Sequence, residues 1–166
     1  MKTTKVFLQV LAAAVIVLAA GALSGCGSTK ELIKAKPEPE VILNKVENKD
    51  FSIAVLSTAS IGGRDLDFMG DYNIRIKGDH ITSYLPYVGY SYSTPYKGGE
   101  GLIFDADIKD YSVEVLDKGM LHVSFDARSP QDNYKFNVYI WSDGTGKISV
   151  KPQLKQSATF NGEIVF

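Results

Sequence analysis

Tyr134-Lys135-Phe136-Asn137-Val138-Tyr139-Ile140-Trp141-Ser142-Asp143-Gly144-Thr145-Gly146-Lys147-Ile148-Ser149-Val150 reads as two strands joined by a turn. Successive strand side chains point to opposite faces of a sheet. Tyr134, Phe136, Val138 and Ile140 therefore share an apolar face, and Lys135, Asn137, Tyr139 and Trp141 share the other. Ser142-Asp143-Gly144-Thr145-Gly146 supplies turn chemistry, and Ile148 and Val150 resume the alternation.

The same period of two extends in both directions. Upstream, Leu121, Val123 and Phe125 alternate with His122 and Ser124, behind a turn at Asp117-Lys118-Gly119. Tyr111, Val113 and Val115 alternate with Ser112 and Glu114, and Leu102, Phe104 and Ala106 form a separate run. Tyr72, Ile74 and Ile76 oppose Asn73, Arg75 and Lys77, and Gly78-Asp79 turns the chain into His80–Leu85. Phe51, Ile53 and Val55 begin the series. Phe160, Ile164 and Phe166, with Asn161 and Glu163 on the opposite face, end it. No amphipathic helix separates these runs, so the expectation is an all-β domain over residues 51–166: a single antiparallel sandwich or open barrel of about eight to nine strands. A domain of this size buries roughly two thirds of its unfolded surface, enough for one core.

The amino terminus sets the expected compartment. Lys2 and Lys5 precede an apolar run from Val6 to Leu23, followed by Leu23-Ser24-Gly25-Cys26. Eighteen residues barely span a bilayer. The box of one branched apolar residue, two small residues and a Cys instead looks like a bacterial lipoprotein signal. Residues 1–25 are then a cleaved signal peptide, and the Cys26 thiol is the lipidated group. Each buried acyl methylene contributes ~0.8 kcal/mol, so two or three chains hold a protein stably on a membrane. Removing 25 of 166 residues leaves 141, and losing Lys2 and Lys5 from 18 basic residues leaves 16 against 19 acidic, a net −3. The expected location is the cell envelope, most simply the outer membrane on its periplasmic or outer face. Residues 26–50 form a tether in which Pro37 and Pro39 interrupt any long helix. Ile42 and Val46, four apart, suggest a short helix over residues 40–48.

Composition removes several classes of chemistry. The net charge of −1 and the lack of a basic block argue against nucleic acid. One Cys excludes an internal disulfide and a thiolate zinc cluster. His80 and His122 have no neighbouring ligand in sequence and read as solvated strand residues. Gly89-Tyr90-Ser91-Tyr92-Ser93 lacks the closing Gly and the helix of a nucleophile elbow. Asp105-Ala106-Asp107 lacks the Gly and the distal Glu of a calcium loop, Leu116 standing at the Glu position. Gly98-Gly99-Glu100-Gly101 lacks the ending of a phosphate loop. No cofactor, metal or catalytic residue is implied.

One segment is unusual: six of the nine Tyr lie between Tyr72 and Tyr96. Tyr84, Tyr87, Tyr90, Tyr92 and Tyr96 form a candidate contact surface, because a tyrosine offers a broad ring with a hydrogen-bonding tip. The plainer reading is that Pro86 and Pro95 fix an irregular crossing whose rings plug one end of the sheet.

Ile61-Gly62-Gly63-Arg64, Tyr72-Asn73-Ile74-Arg75-Ile76-Lys77-Gly78-Asp79, Ser83-Tyr84-Leu85-Pro86-Tyr87-Val88-Gly89, Pro95-Tyr96, Gly98-Gly99 and Gln156-Ser157-Ala158-Thr159-Phe160-Asn161-Gly162 together resemble a family of small lipoproteins from Gram-negative gut anaerobes, domain of unknown function 4251. Ile61 stands where that family commonly has Pro, and Tyr90 where a basic residue often follows the Gly. The resemblance implies an exported lipoprotein and a β-domain, and it supplies no reaction.

The expected protein is thus a lipid-anchored, non-catalytic binding or structural module. Its expected partners are the membrane, through Cys26, and a glycan, peptide or envelope protein at the tyrosines. The alternative is an envelope hydrolase whose carboxylates only folding brings together.

Overall fold

The computed structural model describes residues 36–59, 65–86 and 101–166. A helix, α1 (Pro39–Glu47), precedes nine strands: β1 (Asp50–Ala59), β2 (Asp65–Asp67), β3 (Asn73–Lys77), β4 (His80–Leu85), β5 (Leu102–Val115), β6 (Leu121–Arg128), β7 (Asn133–Ile140), β8 (Thr145–Pro152) and β9 (Ala158–Val165). Every pairing is antiparallel, and the strand order is β2-β1-β3-β4-β5-β6-β7-β8-β9. β1 also pairs with β9, from Ser52 opposite Val165 to Thr58 opposite Phe160. That second ladder chooses between sandwich and barrel. Eight strands close into a barrel, and β2 is an extra strand on the β1 edge that β3 also uses.

The alternation seen in the sequence decides what lies inside. Phe136, Val138 and Ile140 on β7 are fully buried, as are Ile148 and Val150 on β8 and Val123 and Phe125 on β6. An eight-stranded barrel is just wide enough for side chains to fill, and here aromatic rings fill it. Phe104 stacks on Tyr134 at 4.1 Å, Phe125 on Phe136 at 4.8 Å, and Tyr111 on Phe125 at 6.1 Å. The two inward polar side chains of β1 and β4 are satisfied: Thr58 donates to the Thr159 carbonyl and Ser83 to the Leu102 carbonyl, each at 2.7 Å.

Two bulges shift the inward phase. On β1 the register slips between Val55 and Ser57, so Leu56 is exposed and Thr58 turns inward. On β5 it slips between Lys109 and Ser112, with Asp110 at φ 53°, and the inward series passes from Ile108 to Tyr111. The runs Leu102–Ala106 and Tyr111–Val115, separate in the sequence reading, are one 14-residue strand. Val115, on the last rung of the β5–β6 ladder, and Phe166, one residue beyond β9, are 63% and 60% exposed, which corrects their expected inward placement. Tyr72 departs too: it sits just before β3, half-buried.

The short helix begins with Pro39, whose missing N–H is no loss in a first turn. It buries Ile42 and Val46 against the barrel, and the Tyr111 hydroxyl donates to the Val46 carbonyl at 2.7 Å. Near it, in the β7–β8 turn, Asp143 accepts from the Thr145 hydroxyl at 2.6 Å and the Thr145 amide at 3.0 Å. These bonds hold the Asp143 carboxyl below its ordinary range. Among the described residues no helix is long and apolar enough to cross a membrane.

Candidate functional site

Because rings and aliphatic chains fill the interior, the outer face is where these strands can meet a ligand. Tyr84, on the wet face of β4, is 45% exposed. Its ring stacks on Tyr72 at 5.4 Å between centroids, and Tyr72 meets Phe68 edge-on at 5.3 Å. The backbone places these rings. Phe68 donates its amide to the Leu56 carbonyl and the Tyr72 carbonyl accepts from Val55, so both ends of the link between β2 and β3 are pinned to β1. Opposite Tyr84 on β5 stands Ile103, 46% exposed. The result is a stacked aromatic surface open to solvent beside an exposed aliphatic side chain. Tyr87, Tyr90, Tyr92 and Tyr96 lie outside the described residues, as does Cys26.

Both histidines sit on the outside of the barrel. His80 is exposed, with Nδ1 3.4 Å from Asp107 and Nε2 3.8 Å from Asp105. Both carboxylates occupy the wet face expected of them, and Asp105 accepts from Thr82 at 2.7 Å. His122 is more enclosed than a solvated strand residue. It stacks on Tyr139 at 4.7 Å, its Nε2 lies 3.1 Å from Asn137 Oδ1, and Glu114 lies 3.7 Å from Nδ1. Among the described residues no cluster of three or more His, Cys, Asp or Glu is arranged to hold a metal.

A second outer feature escapes sequence reading. An open cleft of about 410 Å³ runs across β5, β6, β7 and β8. Register builds it: Lys109 opposes Asp126, Asp126 opposes Lys135, and Lys135 opposes Lys151, a row of four charges on four strands. Arg128, Asn133 and Gln153 line it one step further along, and Asn133 donates to Gln153 Oε1 at 2.7 Å. In sequence each of these is an ordinary wet-face residue. Only strand pairing collects them.

The buried Asp132 stiffens the end of this cleft. Its carboxylate accepts from the amides of Asn133 at 2.8 Å, Gln153 at 3.0 Å and Leu154 at 3.1 Å. A carboxylate with three amide donors fixes the backbone from which Asn133 and Gln153 project.

No curated protein matches the chain. A solved crystal structure of a DUF4251 family protein from Bacteroides eggerthii DSM 20697 has a similar fold, with a TM-score of 0.62 at 12% sequence identity, over 76% of this chain and 86% of that one. The family model described as "Domain of unknown function (DUF4251)" matches residues 34–164, a span that takes in α1 and nearly all of the barrel. The chain belongs to the DUF4251 family.

Proposed function

We infer that this protein is a lipid-anchored envelope protein, held through the Cys26 thiol, whose barrel is a non-catalytic module that binds a glycan or peptide on its outer tyrosine face. The observation that carries the binding half is the Tyr84 ring, stacked on Tyr72 and nearly half exposed outside a filled barrel. An exposed, pre-stacked ring is a rigid platform for a sugar ring or a peptide side chain. The anchor half is supported by the order basic residues, apolar run, Leu23-Ser24-Gly25-Cys26.

Each half has its own test. Blocking lipoprotein signal cleavage with globomycin makes the full-length precursor accumulate, and Cys26→Ala releases the protein from the membrane fraction. Unchanged membrane association of that variant contradicts the anchor. On arrayed glycans and peptides, Tyr84→Ala lowers binding by about tenfold, equivalent to ~1.4 kcal/mol, while Tyr84→Phe retains most of it. Equal binding by wild type and Tyr84→Ala contradicts the tyrosine face.

A further inference from the structure

We propose that the cleft across β5–β8 is a binding site for an acidic saccharide, a sugar whose ring carries a carboxylate or a phosphate. This is separate from the tyrosine face and does not depend on it. The cleft's volume, about 410 Å³, is in the range of small-molecule sites. Its charge is opposite in sign to that of the chain. Four cations, Lys109, Arg128, Lys135 and Lys151, line it against two carboxylates, Asp110 and Asp126, while the chain carries −1 overall.

Those cations are arranged at a cost to the fold. Lys135 and Lys151 are direct cross-strand partners, and like charges at opposed positions destabilise a sheet. The Lys135 ammonium has the Asp126 carboxylate 3.6 Å away, the one ion pair that the cleft makes among the described residues. Among the described residues no carboxylate lies within 4.0 Å of Lys109, Arg128 or Lys151. A bound anion offsets this repulsion.

The remaining lining suits hydroxyl groups. The Asn133 side-chain Nδ2 donates to Gln153 Oε1, so the Asn133 Oδ1 and the Gln153 Nε2 are the side-chain atoms of this pair that can meet a ligand. The partly exposed Asp126 carboxylate accepts from hydroxyls, as no site built for a bare anion needs to. The platform is also preorganised. β6, β7 and β8 pair without a register shift, and the Asp132 carboxylate pins the Asn133 and Gln153 backbone. Preorganisation lowers the ordering cost of binding.

Calorimetric titration of the full chain in detergent at low salt tests this, with four probes: glucose 6-phosphate, digalacturonate, glucose and inorganic phosphate. At least one acidic sugar is expected to bind at least about tenfold more tightly than both glucose and inorganic phosphate. Which acidic sugar binds distinguishes phosphate from carboxylate. Arg128→Glu and Lys151→Glu, both at exposed positions, are expected to weaken that binding about tenfold or more without lowering thermal melting. Lys151→Glu, which replaces the repulsive pair with Lys135 by an attractive one, is expected to raise the melting temperature. Asp126→Asn is expected to weaken the acidic sugar while leaving inorganic phosphate unchanged or tighter. Absence of heat from either acidic sugar at about 10 mM overturns the proposal. So does binding no tighter than that of glucose or inorganic phosphate, or binding that survives both charge reversals.

Discussion

Gly162 sits on β9 opposite Val55, beside the bulge of β1, and a Cβ there would lie 2.1 Å from the Ala54 carbonyl oxygen. Only a residue without a side chain lets the two strands approach at the seam that closes the barrel. Gly162→Ala is therefore expected to cost ~1–3 kcal/mol or more, read as a lower midpoint in denaturant unfolding. A second single-residue effect concerns alkaline pH. Burial raises the Tyr111 hydroxyl well above its ordinary value of 10.0, and burial raises Tyr134 as well. An unfolded tyrosine loses its proton near the ordinary value, whereas the folded one keeps it, so the unfolded state binds fewer protons above that pH. Stability is thus complete below pH 10.0 and falls as pH rises beyond it. Tyr111→Phe is expected to flatten this alkaline slope while costing about 1 kcal/mol at neutral pH, through loss of the bond to the Val46 carbonyl. Unfolding midpoints of the two proteins measured from neutral to alkaline pH check both signs.

The strands show what local pattern carries and where it stops. In β6, β7 and β8, apolar residues at every second position lie inside the barrel, so their alternation in sequence was already a map of the core. In β5 the extra residue at Asp110 breaks the period, and a pattern of period two cannot continue through an inserted residue. The strand therefore reads as two. At strand ends the pattern also overreaches: Val115 and Phe166 keep the alternation but stay exposed at the ends of β5 and β9. The helix is a simpler case, since two residues four apart suffice to mark its buried face. Ile42 and Val46 are almost wholly buried, so Ile42→Ala is expected to cost ~2–5 kcal/mol, a loss seen in thermal or chemical unfolding. A surface change on the same helix, Glu40→Ala, is expected to stay within about 0.5 kcal/mol.

At the scale of the molecule, closure follows from the long-range ladder between β1 and β9, which lie about a hundred residues apart. Alternation marks a sheet with one dry face, and both a sandwich and a barrel satisfy it. Only the pairing of first and last long strands separates them. The candidate sites divide the same way. Tyr84 stood out because tyrosines crowd one stretch of sequence. The charged cleft did not, because Lys109, Arg128, Lys135 and Lys151 come from four different strands and meet only through register. Under the proposed function, a closed barrel packed with stacked aromatic rings uses its outer face for recognition. Amide chemical-shift mapping of the full chain in detergent, titrated with the tightest-binding glycan or peptide from the arrays, tests this most directly. The expected shifts fall on outward positions around Tyr84 and Ile103, with the amides of the inward Phe136, Val138 and Ile148 unmoved. Shifts concentrated on those inward residues would mean that the ligand enters the barrel, and would contradict recognition on its outer face.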